Sequence, residues 1–213
     1  GEACSFTIFA KDKYGNQRDE GGDEFTVRCR GPSDIVQATI TDNKDGTYLA
    51  EFTCLRDGDY FIDVKLDNMD IMQSPFVLTV DPAKTQAEFC TAVGVDTEWG
   101  NGLKESQAGR EVSFIIQAVD QFGNRVFKPG DDFQVKITEV AEGIRVKAKV
   151  VDNGDGTYEA TWCGMLRGEY DIHVALKEDP IKGSPWKATV RTGTASAAKC
   201  TAEGKGLGGS QAG

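Results

Sequence analysis

The chain has 213 residues, of which 39% are hydrophobic, and carries a formal net charge of −10 at pH 7. That length and apolar content suffice for two domains that each bury a core. The acidic balance argues against nucleic acid, whose phosphates are held by clustered Lys and Arg. No run of about 18 apolar residues occurs and no cleavable signal sequence is evident, so membrane insertion is not expected.

From the N-terminus, apolar and polar residues alternate with the period of two that marks a half-buried strand. Phe6, Ile8 and Ala10 share one face of a first strand, and Tyr60, Ile62, Val64 and Leu66 share one face of a later one. Lettered as B to G, the strands expected in the first part of the chain are Cys4 to Asp12, Glu24 to Arg30, Val36 to Thr41, Thr47 to Cys54, Asp59 to Leu66 and Ser74 to Val80. A short linker, Asp81 to Gln86, follows. Strand A of the next unit lies within Glu88 to Gly109. B to G are then expected at Val112 to Asp120, Asp132 to Thr138, Arg145 to Val151, Thr157 to Cys163, Gly168 to Leu176 and Ser184 to Arg191. No helical stripe interrupts them, and Gly, Asn, Asp and Pro cluster between the runs. The pattern is that of an all-β chain of tandem antiparallel, immunoglobulin-like β-sandwiches.

The two halves are copies. Asp42-Asn43-Lys44-Asp45-Gly46-Thr47-Tyr48 returns as Asp152-Asn153-Gly154-Asp155-Gly156-Thr157-Tyr158, and Asp12-Lys13-Tyr14-Gly15-Asn16 returns as Asp120-Gln121-Phe122-Gly123-Asn124. The offset is 108 for the earlier phrase and 110 for the later, so two residues are added between Phe133 and Asp152. Cys90-Thr91-Ala92 with Gly94, and Ser106-Gln107-Ala108-Gly109, recur as Cys200-Thr201-Ala202 with Gly204, and Ser210-Gln211-Ala212-Gly213. The expected units are 1–82, lacking its strand A, 83–192, complete, and 193–213, the strand A of a further unit. Repeats of this length build spacers and binding surfaces.

Little in the chain suggests catalysis. Asp45-Gly46 and Asp155-Gly156 sit where a hairpin must turn, with Gly supplying positive φ. Neither Asp-rich turn is followed by the bidentate Glu of a calcium loop. His173, the single histidine, alternates with core residues and is expected on the surface. The glycines from Gly204 to Gly209 lack the Lys-Ser/Thr of a phosphate loop. None of the six cysteines lies on an F strand, so the B-to-F bridge of antibody domains cannot form. Buried free thiols and the absence of an Asn-x-Ser/Thr sequon point to a reducing compartment. No cofactor and no metal are expected. Tyr60 and Tyr170 occupy the place of a tyrosine corner, where a buried ring bonds backbone through its hydroxyl. Trp99 either packs on a neighbouring unit or faces solvent.

Five phrases appear in one order: Asp-x-x-Gly-Asn after B, Gly31-Pro32-Ser33 after C, Asp-Asn-x-Asp-Gly-Thr-Tyr before E, Gly-Asp/Glu-Tyr opening F, and Ser-Pro-Phe/Trp opening G. Together they resemble the immunoglobulin-like rod repeats of filamins. The resemblance implies a cytoplasmic, cytoskeletal actin cross-linking scaffold whose rod spaces an actin-binding head from a dimerising end. The actin network would then be reached through other parts of the parent protein. The resemblance also implies that partner peptides add as a β-strand along strand C, beside D. Edge strands offer unpaired N–H and C=O groups for this. The matching positions are Phe25, Thr26, Val27, Arg28, Cys29 and Arg30 with Ile35, Val36 and Ala38. The second unit has Glu139 to Gly143 in place of Gly-Pro-Ser, so Phe133, Gln134, Val135, Lys136 and Ile137 form a weaker candidate. Arg28 and Arg30 either favour an acidic peptide or are edge charges that discourage aggregation. Self-association by exchange of the strand A segment Ala198 to Gly213 is a further expectation. The competing reading is an extracellular adhesin or gamete-contact protein built from similar repeats.

Overall fold

The computed structural model describes residues 1–204 and Leu207. Eight strands form the first sandwich: β1 (Ala3–Phe9), β2 (Phe25–Arg30), β3 (Ile35–Gln37), β4 (Thr39–Asp42), β5 (Thr47–Thr53), β6 (Gly58–Leu66), β7 (Met69–Asp70) and β8 (Phe76–Val80). One sheet has the order β1-β5-β4; in the other, β2 lies between β3 and β6, and β6 also pairs with β7 and β8. Tyr48, Ala50 and Phe52 of β5 and Tyr60, Ile62 and Val64 of β6 are buried between the sheets, with their odd-numbered neighbours turned outward. Each large apolar side chain so buried contributes up to about 1.5–3 kcal/mol.

The second sandwich repeats this plan and adds a strand A in two pieces. Its elements are β9 (Thr91–Gly94), β10 (Asp96–Thr97), β11 (Gly100–Asn101), β12 (Glu105–Gln107), β13 (Glu111–Gln117), β14 (Phe133–Glu139), β15 (Arg145–Val146), β16 (Ala148–Asp152), β17 (Thr157–Cys163), β18 (Gly168–Leu176), β19 (Asp179–Pro180) and β20 (Trp186–Arg191). β9 runs antiparallel to β13 in one sheet, and β12 runs parallel to β20 in the other. The hairpin β10–β11 bridges the two pieces. Gly102 lies so close to the backbone of Ser113 that a Cβ would stand 2.2 Å from its carbonyl oxygen. From there its own carbonyl accepts a 2.8 Å bond from the buried Trp162 indole.

Strand D also divides. β3 pairs with β2 and β4 with β5, so the chain changes sheets at Ala38; β15 and β16 make the same crossing at Lys147. A period-two pattern cannot show this, because both pieces keep the same alternation while changing partners. β7 and β19 were not expected: each is two residues long, too short to carry a pattern. The Ser-Pro phrases gain a reason: Ser74 and Ser184 Oγ accept bonds of 3.0 Å from Val64 N–H and Val174 N–H, and the Ser-Pro bonds are cis.

Of the two expected tyrosine corners, one has the expected geometry. The Tyr170 hydroxyl donates to the Leu166 carbonyl at 2.7 Å, whereas the Tyr60 hydroxyl donates to Asp34 Oδ1 at 2.8 Å. In the first sandwich the ring therefore fastens the C–D loop that carries Gly31-Pro32-Ser33. Burial and the Asp34 carboxylate together push the Tyr60 hydroxyl pKa far up. In the second sandwich the buried Glu139 carboxylate organises that loop by accepting from Ala141 N–H and Glu142 N–H at 3.1 and 2.6 Å.

Candidate partner-binding edges

Strand C lies at the end of its sheet, beside the short first piece of strand D, where a peptide would meet one row of backbone groups and a strip of side chains. In the first sandwich that edge is not open along its length. β3 covers it, pairing Ile35 with Arg30, Val36 with Cys29 and Gln37 with Arg28, and Ala38 N–H donates to the Val27 carbonyl at 3.2 Å. Of the expected strip, Phe25 and Thr26 have no strand partner on that side among the described residues. Val27 and Cys29 are core residues, 3% and 0% exposed, so they cannot read a ligand. Ile35 is exposed on the outer strand β3, and Val36 and Ala38 are half-buried. The free backbone row has thus moved from β2 to β3. The cause is the sheet-switching D strand, which Gly31 to Asp34 returns directly alongside C.

The charges divide in the same way. Arg30 forks onto Asp63 with bonds of 2.6 and 3.0 Å and lies over the Phe61 ring at 5.8 Å. Its guanidinium is pinned to Asp63 on the outer face of the sheet, whereas Arg28, also exposed, makes no ion pair among the described residues. In the second sandwich β15 covers only Ile137 and Thr138, through Val146 and Arg145. Phe133, Gln134, Val135 and Lys136 have no strand on their outer side among the described residues. Phe133 is buried against Tyr158 at 4.7 Å between ring centroids, Gln134 and Val135 are half-buried, and Lys136 is exposed. β15 keeps the register of β3, with Thr138 facing Arg145 as Arg30 faces Ile35, but it ends one pair sooner, so the longer opening is at the position ranked second from the sequence.

Gly46 and Gly156 hold the D–E turns at φ of +79° and +80°. The adjacent carboxylates are spent on the turn itself. Asp45 and Asp155 each accept from the N–H and hydroxyl of the following Thr, whose side chain and backbone bonds hold both carboxyls below the ordinary carboxylate value. Among the described residues no group of three His, Cys, Asp or Glu side chains is placed to hold a metal ion. None of the six cysteines is disulfide-bonded.

A model of the Filamin/ABP280 repeat matches residues 1–77 and 80–187. The chain belongs to the filamin-repeat family. It is 31% identical over 188 residues to Filamin-C of Rattus norvegicus, covering 85% of this chain and 6% of that protein. It is 34% identical over 113 residues to the E3 ubiquitin-protein ligase TRIM45 of Bos taurus, covering 53% of this chain and 18% of that one. The chain therefore spans a small part of the curated relatives it matches. Among solved structures, the Escherichia coli adhesin FdeC superposes with a TM-score of 0.55 at 20% identity, over 90% of this chain and 60% of that one, which is a likeness of fold. Filamin repeats are structural and interaction domains.

These filamin repeats differ from one another at strand B. β13 is flanked by β17 and β9, but among the described residues β1 is paired only with β5. Beside β1 runs a groove of ≈ 900 Å³ lined by Phe6, Ile8, Phe52, Phe76 and Leu78 among others. Phe76 and Val77 are 37% and 63% exposed there. Leu78 and Val80 are half-buried, while Ala188 and Val190 at the equivalent places are each 1% exposed. In the second repeat the corresponding space holds Ala92 and Leu103 of strand A. The repeated Cys200 and Leu207 are exposed where Cys90 and Leu103 are buried. Residues 205, 206 and 208–213 of the expected exchange segment lie outside the described residues. Trp99 is half-buried against its own sandwich, where Arg110 covers its ring at 4.0 Å.

Proposed function

We propose that this chain is a non-enzymatic rod segment of a filamin-like actin cross-linking scaffold, working in the cytoplasm. Its modules span 1–82 and 83–192, with 193–213 opening a third. The modules act as spacers and capture extended peptides by strand addition, while actin is engaged elsewhere in the parent protein. The observation that carries the peptide-binding reading is the unpaired outer side of β14 from Phe133 to Lys136. An added strand there gains main-chain hydrogen bonds, and half-buried Gln134 and Val135 select its side chains. In the first module a peptide is offered β3 and Arg28 instead. Amide chemical-shift titration with a set of extended peptides tests this: shifts should concentrate at Phe133 to Ile137, and shifts confined to other strands, or none, would refute it. Intact-protein mass spectrometry without reductant should show six free thiols; native disulfides would favour the extracellular reading.

The groove beside β1 supports self-association as well. Pairing of β9 with β13 sets Gly94 opposite Phe114 and Ala92 opposite Ile116. By the repeat offset, a tail from a second molecule would set Gly204 opposite Phe6 and Ala202 opposite Ile8. Removing residues 198–213 should abolish any concentration-dependent mass increase in light scattering; an unchanged increase would eliminate exchange.

A further inference from the structure

We propose that the Asp-x-x-Gly-Asn turn after strand B is a socket that docks the preceding module, fixing the angle between neighbours by binding main-chain atoms. The socket at Asp120–Asn124 is filled by the E–F turn of the first module and by the linker. Asn124 donates from Nδ2 to the Leu55 carbonyl at 2.8 Å, and its Oδ1 accepts from Asp57 N–H at 3.4 Å. Arg56 donates to the Phe122 carbonyl at 2.7 Å. The linker is tied to the same turn, because Ala83 N–H donates to Asp120 Oδ2 at 2.8 Å and Thr85 bridges to Asp120.

The turn is built to offer those atoms. Asp120 Oδ1 accepts from the N–H groups of Phe122 and Asn124, and Oδ2 accepts from Asn124 Nδ2, each at 2.9 Å. This clamp holds the Asn124 amide with its remaining proton and its oxygen directed at the first module. Asp120 and Asn124 are 0% and 4% exposed. A buried carboxylate and a buried amide are tolerated only when their hydrogen-bonding capacity is met, and here part of it is met from the neighbouring module and the linker.

The first module has the same turn, to which no other module is hydrogen-bonded among the described residues. Tyr14 N–H and Asn16 N–H donate to Asp12 Oδ1, and Asn16 Nδ2 donates to Asp12 Oδ2, again each at 2.9 Å, yet both residues are exposed. The internal geometry therefore needs no neighbour, and docking is a separate use of it. Because Leu55, Asp57 and Ala83 contribute backbone atoms, the socket recognises the shape of an E–F turn and linker rather than a side-chain sequence. Arg56 is the one side chain it engages from the docked turn.

The pair of equivalent turns gives an internal control. In 15N relaxation of the two-module chain, both modules should share one rotational correlation time. Asn124→Ala and, separately, Arg56→Ala should lower it by roughly a third or more, because a small polar contact no longer restrains domain motion. Asn16→Ala removes the same intramodule bond at a turn that bonds no other module among the described residues and should leave it unchanged, with dispersed amide spectra showing that each variant is folded. Independent tumbling of the unsubstituted modules would overturn the proposal. So would an unchanged correlation time in both Asn124→Ala and Arg56→Ala, or an equal fall in Asn16→Ala.

Discussion

Gly154 and Gly156 occupy one D–E turn, both with left-handed backbone, at φ of +77° and +80°. Their surroundings differ. A Cβ on Gly154 meets nothing within 4 Å, while one on Gly156 would lie 1.9 Å from the Val126 carbonyl oxygen and 2.8 Å from its carbon. Gly154→Ala therefore incurs only the left-handed penalty, about 1 kcal/mol. That penalty is partly offset by the smaller conformational freedom of the unfolded chain, about 0.4–1 kcal/mol. The first module supplies a precedent, since Lys44 stands at the equivalent position with φ of 64°. Gly156→Ala incurs the same backbone term and must also push the Val126–Phe127 segment aside, adding about 1–3 kcal/mol by analogy with overpacking. The three tryptophans, Trp99, Trp162 and Trp186, all lie in the second module. Urea unfolding followed by their fluorescence thus reports that module alone. Gly154→Ala should stay close to the parent midpoint, and Gly156→Ala should fall below it by roughly 1 M at unchanged slope. Equal midpoints for the two variants would show that the turn relaxes freely and that the close approach to Val126 constrains nothing.

Tyr170→Phe should cost about 1 kcal/mol, since Leu166 is exposed enough for water to replace the lost hydroxyl, lowering the second module's Tm in calorimetry by about 4–8 °C. Tyr60→Phe should act on the first module and loosen Gly31 to Asp34, seen as faster amide exchange in that loop. Burial, reinforced by the Cys54 and Cys4 thiols and Asp63, pushes the Cys29 thiol up to about 11. Its folded pKa lies above the unfolded value near 8.5, so its stabilising contribution is complete below that pH and is lost as pH rises toward 11. Native alkylation should label exposed Cys200 first and Cys29 last, read by peptide mass spectrometry. Burial raises the Asp120 carboxyl, but bonds from the Asn124 side chain and from the Asn124, Ala83 and Phe122 backbone outweigh this and leave it below its ordinary value. The stability it lends is therefore present above the unfolded value near 3.9 and disappears as pH falls below it. Small-angle scattering should show the modules separating in that acidic range while each remains folded.

Much of this was legible in the chain. Strands E and F of the second module were placed to the residue, because Thr157–Cys163 and Gly168–Leu176 alternate cleanly and are bounded by Gly. The repeated Asp-Asn-x-Asp-Gly-Thr-Tyr phrase set the register of both modules, and the spacing change beside it located the longer C–D connection. The candidate edge was less legible. Strand C could be found from Phe25, Val27 and Cys29, but whether its outer side was free depended on where the following strand turned. Likewise, Asp12 and Asp120 read identically in sequence, and Arg56 gave no sign of reaching Phe122.

Local alternation, turn residues and repeat spacing determined the all-β class, the two-sandwich plan and the family, because those features act within a few residues or between identical phrases. The tertiary structure decided what chain-distant segments do to one another. It set β3 against β2 and left β14 open from Phe133 to Lys136, and it sent the Tyr60 hydroxyl to Asp34 and the Tyr170 hydroxyl to Leu166. It also brought the first module onto one of two equivalent turns. The physical reason is that hydrogen-bond partners and burial belong to pairs of segments, and a one-dimensional pattern carries no distance between them.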